Sequence, residues 1–273
     1  MNAKQNYSTF GHPTLLDVRP TAIEDNKVKN AMDSHMDALV SFIVERPYYD
    51  RRRCVIGSGF FVSSYDPTVA VLCTAEHVVD QFVENGFGWI TVGTAMIELR
   101  DVGLRKIDKK LDAAFWIIPS NLLIAHGITG LTTLPLFDHS YLTRTFDPTC
   151  SFAIFGYPAS KNKEIDMRDG GDRGRNLLGI AFHGFQCDIK TQEICFFYPG
   201  KGIPEAWAHP QTTSVKLDGM SGGPCVQFMV DKETRALAIV VVGVFCRWQG
   251  KRELRATALD SQWFINYASM APE

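Results

Sequence analysis

The feature that most constrains this chain is a long series of short runs rich in β-branched and aromatic residues, punctuated by Gly, Pro and polar turn residues. Ala38–Val44 is the first run. Cys54–Ser63 and Val69–Thr74 follow, separated by Ser64, Tyr65, Asp66 and Pro67, and together they read as a hairpin. Trp89–Val92, Ala95–Val102 and Ala113–Ile118 complete a first series. A second series comprises Ser151–Phe155, Leu177–Phe185, Glu193–Tyr198, Thr212–Lys216, Pro224–Val230 and Leu237–Phe245. Many short strands with frequent turns predict an all-β barrel or sandwich. Gly127–Asp147, mixed in character, reads as the connection between the two series. Near the end, Leu259, Trp263, Phe264 and Tyr267 fall at helical spacing and predict a terminal helix packed on the core.

Residues 1–36 are polar, are interrupted by Pro13 and Pro20, and predict a surface arm with a short helix near Lys27–Met36. Residues 161–175 form the most polar internal stretch and predict a long surface loop. A chain of 273 residues can bury a sizeable core, and its net charge of −2 gives no reason to expect nucleic acid or an anionic membrane as partner. The longest apolar candidate, Leu237–Cys246, is far short of the ~20 residues that cross a bilayer. The polar start after Met1 lacks an apolar signal region, so the expected location is cytoplasmic. The seven cysteines are odd in number and mostly lie in apolar runs, which predicts free buried thiols in a reducing compartment. His183, Cys187 and Cys195 lack a paired CxxC or HxxxH element, so no zinc site, other metal or cofactor is expected.

Three motifs carry chemistry. Gly219-Met220-Ser221-Gly222-Gly223-Pro224 sets a serine among glycines. A serine hydroxyl is a poor nucleophile unless a base takes its proton and donors stabilise the oxyanion. A glycine-flanked turn can aim the amides of Gly219 and Ser221 at one such oxygen, although taken alone it is equally a turn with an incidental serine. In Leu72-Cys73-Thr74-Ala75-Glu76-His77-Val78-Val79, His77 follows a strand, and histidine is the residue type that serves as a general base with little tuning. Asp112 opens the apolar run Ala113–Ile118, where a partly buried acid needs a partner. The ring N–H of His77 would serve. Asp108, in the polar run Lys106–Lys110, reads as solvated.

Chain order separates the hydrolase classes. The α/β-hydrolases require serine, then acid, then histidine, and no histidine follows Ser221, the last being His209. The subtilisin order places the acid first, whereas here the best acid follows His77. The order His77, Asp112, Ser221 is the chymotrypsin one.

The blocks GSGFFVS, LCTAEHVV, LDAAFWII, SFAIFGYP and DGMSGGP resemble those of trypsin-like serine peptidases, in the style of bacterial chymotrypsin and HtrA groups. With the strands between them they cover most of residues 38–268. The resemblance implies a peptidase domain over residues 37–268, with two six-stranded β-barrels of the chymotrypsin type. Barrel 1 would span about 37–126, barrel 2 about 140–258 and a C-terminal helix about 259–270. It implies catalysis by His77, Asp112 and Ser221, an oxyanion hole from the amides of Gly219 and Ser221, and a protein or peptide substrate. Substrate would add to an exposed strand at Phe245, Cys246, Arg247 and Trp248, with the primary pocket near Val215. Two departures matter. Met220 replaces the acid that receives a new N-terminus in zymogen activation, and Val215 offers no acid for a basic P1 side chain. No room for a PDZ domain follows residue 268, so a full HtrA architecture is not expected. The alternative reading is a weak or latent protease-fold binding module that needs an activating protein partner.

Overall fold

The computed structural model describes residues 15–17, 34–45, 53–64, 66–86, 88–99, 104–136, 151–159, 162, 178–183, 186–188, 193–197, 217–231, 237–249 and 253–259. The predicted strand Thr212–Lys216, the helix at 259–270 beyond Leu259, the loop 161–175 apart from Asn162, and Val215 lie outside them. Among the described residues the strands form two sheets, antiparallel throughout, giving an all-β fold of two barrels of the chymotrypsin type.

The first sheet has seven strands in the order β6-β5-β2-β3-β4-β8-β7. They are β2 (Leu39–Glu45), β3 (Arg53–Val62), β4 (Val69–Thr74), β5 (Gly88–Val92), β6 (Ala95–Leu99), β7 (Leu104–Asp108) and β8 (Ala113–Pro119). The second has eight strands, with the path β10-β9-β13-β14-β15-β12-β11 and β1 (Leu15–Asp17) on β13. These are β9 (Ser151–Gly156), β10 (Leu178–His183), β11 (Gln186–Asp188), β12 (Glu193–Phe197), β13 (Pro224–Asp231), β14 (Leu237–Gln249) and β15 (Glu253–Ala258). The expected six strands per barrel are thus exceeded. β7 and β11 end their sheets, where one edge of a strand stays unpaired and a polar sequence is tolerated. Within the arm expected over residues 1–36, β1 joins the second sheet: Leu15, Leu16 and Asp17 register with Asp231, Val230 and Met229.

Helix α1 (Glu76–Glu84) leaves β4 directly and buries Val78, Val79 and Phe82. This i, i+3, i+4 spacing is that of an amphipathic helix on a core. Phe82 stands edge-on to Phe42 at 5.3 Å and to Trp116 at 5.8 Å between ring centroids, so the helix plugs barrel 1. A short helix α2 (Ser120–Ala125) follows β8. The segment after it stitches the barrels together. Leu134 N donates to Phe61 O at 2.8 Å, and Val241 N donates to Pro135 O at 2.8 Å. Among the described residues no helix is long and apolar enough to cross a membrane.

Candidate active site

His77 lies in the first turn of α1, and Asp112 lies in the turn before β8. Because β4 and β8 pair in register from Thr74–Ala114 onward, the two residues meet at one end of the barrel. His77 Nδ1 is 2.9 Å from Asp112 Oδ1 and 3.1 Å from Oδ2, and the His77 backbone N–H donates to Oδ1 at 3.2 Å. Asp112 is the one non-glycine among the described residues with positive φ, at 50°. That left-handed conformation is disfavoured for most side chains, is tolerated by Asp, and is typical of functional turns. Asp108, its sequence competitor, instead accepts from Lys110 N at 3.1 Å and Leu111 N at 3.0 Å and so caps the turn that presents Asp112.

Burial pushes the Asp112 carboxyl up. The hydrogen bond from the His77 ring, the His77 charge, the His77 backbone N–H and the nearby Arg247 charge outweigh that and hold it below the usual carboxylate range.

Ser221 sits in a loop between two left-handed glycines, Gly219 at φ 89° and Gly222 at φ 86°. The loop is two tight turns: Met220 N donates to Leu217 O at 2.9 Å and Gly223 N to Met220 O at 3.0 Å. Neither the Gly219 nor the Ser221 amide has a main-chain acceptor among the described residues. Met220, the departure from the zymogen pattern, is fully buried, and its Cα would lie 2.9 Å from a Cβ on Gly156. The loop is therefore seated by packing and main-chain bonds.

Barrel 1 reaches across to hold this loop. Ser58 N donates to Ser221 O at 2.7 Å, and Ser58 Oγ donates to Gly219 O at 2.7 Å while accepting from Tyr157 N at 2.8 Å. Thr74 Oγ1 donates to Ser58 O at 2.7 Å, and Ala159 N donates to Asp218 O at 2.6 Å. The last bond fixes the Asp218–Gly219 peptide, and hence the direction of the Gly219 N–H. A Cβ on Gly222 would lie 3.0 Å from Ala75 N, two residues before His77, so the Ser221 loop abuts the turn that carries the histidine. Sequence reasoning placed Ser58 in a block but gave it no role. Ser58→Ala is expected to strand a buried carbonyl and a buried amide, costing about 2 kcal/mol or more. A drop in the denaturant midpoint at unchanged slope checks it.

The four residues expected on the substrate strand separate. Phe245 is buried, its N–H donates to Gly223 O at 2.8 Å, and its carbonyl accepts from Gly222 N at 2.7 Å. It anchors the Ser221 loop and offers no free edge. Cys246 is buried, with Sγ 3.4 Å from Asp112 O, Val244 O and Thr257 Oγ1. Burial pushes its thiol up to about 12, which keeps it protonated and inert at neutral pH. Thr257 Oγ1 in turn donates to Leu111 O, tying β15 to the Asp112 turn. Arg247 is exposed, and Trp248 continues β14 opposite Leu254. β13 pairs with β14 only as far as Val244, so β14 beyond Phe245 is paired with β15 alone among the described strands. Among the described residues no strand pairs with the other edge from Cys246 to Gln249, which follows directly on the Phe245 anchor of the Ser221 loop. Cys54, Cys73, Cys195, Cys225 and Cys246 are free thiols.

No family model and no curated protein sequence matches this chain. Solved structures do. One, from work on the coupled folding and binding of the disordered Sesbania mosaic virus VPg protein, is 14% identical, with 95% of this chain and 98% of that chain covered and a TM-score of 0.48. A structure of GrC is 15% identical, with 87% and 96% covered and a TM-score of 0.47. The protease Anisep from Arthrobacter nicotinovorans is 12% identical, with 84% and 92% covered and a TM-score of 0.44.

Proposed function

We propose that this chain is a serine endopeptidase, with His77, Asp112 and Ser221 as its catalytic triad. The observation that carries the reading is the two-point bond between the His77 ring and Asp112, next to a doubly left-handed glycine turn that bears Ser221. In this mechanism the Asp112 carboxylate accepts Nδ1–H, fixing the tautomer that leaves Nε2 as base. Nε2 takes the Ser221 proton as Oγ attacks the scissile carbonyl, and the amides of Gly219 and Ser221 receive the oxyanion. The imidazolium then returns its proton to the leaving amine, and water repeats the sequence to free the enzyme. The substrate is a protein or peptide added as a strand along Cys246, Arg247 and Trp248. Kinship with bacterial peptidases in particular rests on the resemblance of the sequence blocks.

A second reading has its own observation. Ser221 Oγ makes no hydrogen bond to His77, although catalytic bonds commonly tighten only when substrate binds. In that reading the domain is latent until a protein partner closes the gap. Treatment with a fluorophosphonate probe distinguishes the two. The peptidase reading expects stoichiometric label on Ser221 in wild type and none in Ser221→Ala. An unlabelled, folded wild-type chain would sink active catalysis by the chain alone and favour the latent form.

A further inference from the structure

Beside His77 and Asp112 lies a cavity of about 740 Å³, walled on one side by Lys109, Lys110 and Leu111 and on the other by the sheet of β12, β14 and β15. Its lining carries four cations, Lys109, Lys110, Arg247 and Arg255, against three carboxylates, Glu76, Asp112 and Glu193. Pairing accounts for most of them. Arg255 Nη1 meets Glu193 Oε1 at 2.6 Å, Lys109 Nζ lies 3.7 Å from Glu76 Oε1, and Asp112 is engaged by His77. Lys110 and Arg247 are both exposed and have no ion-pair partner among the described residues. Arg247 registers opposite Arg255, whose charge Glu193 already engages, and it lines the cavity as an exposed guanidinium whose charge reaches Asp112 without a direct ion pair among the described residues.

Strand direction places this space on the substrate. Every strand pair named in the two sheets is antiparallel, and the edge of β14 left unpaired among the described strands runs from Cys246 away from the Phe245 anchor of the Ser221 loop. A chain added antiparallel to that edge has its later residues near Ser221 and its earlier ones beside Arg247 and Trp248. The side chains near Arg247 therefore precede the scissile bond.

Resting on the peptidase reading above, we propose that this cavity is a subsite for an acidic substrate side chain at P2 to P4, and that Arg247 selects it. A guanidinium offers a planar, two-point donor set to a carboxylate, which a neutral side chain cannot use. The site is partly open to water, so the effect is moderate: about a fivefold preference for Asp or Glu over Ala, and a larger one over Lys or Arg.

Two measurements keep this proposal separable from the peptidase reading. In the first, a random peptide pool is captured on immobilised Ser221→Ala protein and read by mass spectrometry, which needs no catalysis. Enrichment of Asp and Glu is expected, with enrichment of Lys and Arg instead on the Ser221→Ala/Arg247→Glu double variant. In the second, wild type and Arg247→Glu cleave a peptide mixture, and the residues preceding each new cut are compared. An acidic preference in wild type that inverts in Arg247→Glu supports the subsite. Captured peptides without acidic enrichment, or one cleavage profile shared by both enzymes, overturn it. Acidic capture with no cleavage by wild type would instead refute the peptidase reading and leave the subsite standing.

Discussion

Asp112→Asn is expected to lower kcat about 10⁴-fold while leaving the fold intact. The amide is nearly isosteric, so the left-handed turn at φ 50° and the cap from Asp108 persist. What changes is the proton. Asp112 accepts from the His77 ring at 2.9 Å and 3.1 Å, and an amide nitrogen in the same place donates instead. The ring then carries its proton on Nε2, the atom that must be the base. Stability should respond differently to pH in the two proteins. The folded carboxyl of Asp112 is lowered relative to the unfolded one, so the folded state binds its proton less readily. Its contribution to stability is complete above the unfolded value, about 3.9, and is lost as pH falls through the lower folded value. Denaturant midpoints measured across the acid range should therefore fall less steeply for Asp112→Asn. An equal loss of kcat with unchanged peptide binding separates the tautomer effect from misfolding.

Gly222→Ala is the second large effect, and it acts on the loop itself. Gly222 has φ 86°, a conformation L side chains rarely adopt. A Cβ there would also run into the Ser58 carbonyl, the Thr74 hydroxyl and Ala75 N. These groups have little freedom to move, because Thr74 Oγ1 donates to Ser58 O and Ser58 grips both Ser221 and Gly219. Backbone strain of about 1–3 kcal/mol and overpacking of about 1–3 kcal/mol add here. Roughly 3–5 kcal/mol of lost stability, with fluorophosphonate labelling abolished, is the expected outcome. Thermal unfolding and probe labelling of the same preparation check both parts.

Much of the fold was legible because strand-forming residues recur at regular intervals. The run Val69–Thr74 coincides with β4, and Ala113–Ile118 falls one residue short of β8. What escaped had weaker or competing signals. β7, Leu104–Asp108, leads into a lysine-rich turn that reads as solvated, and it ends its sheet, where polar residues carry no penalty. α1 hid behind the histidine motif, although Val78, Val79 and Phe82 hold a helical spacing that could have revealed it. The histidine and acid were readable from order and flanking strands. The clamp of Ser58 on Gly219 was not, since 161 residues separate them and nothing local marks the pairing. Nor could spacing show that Phe245 turns inward while Arg247 stays exposed: the register shift in the β14–β15 pairing between Phe245 and Arg247 is a tertiary feature.

The most direct test of the central claim is cleavage itself. Wild type, Ser221→Ala and His77→Ala are incubated with a mixture of unstructured peptides, and new termini are counted by mass spectrometry. The account predicts internal cuts by wild type and none above background from either variant. Cleavage by Ser221→Ala at the wild-type rate would contradict it, as would an intact peptide mixture after incubation with wild-type protein whose Ser221 accepts the fluorophosphonate label.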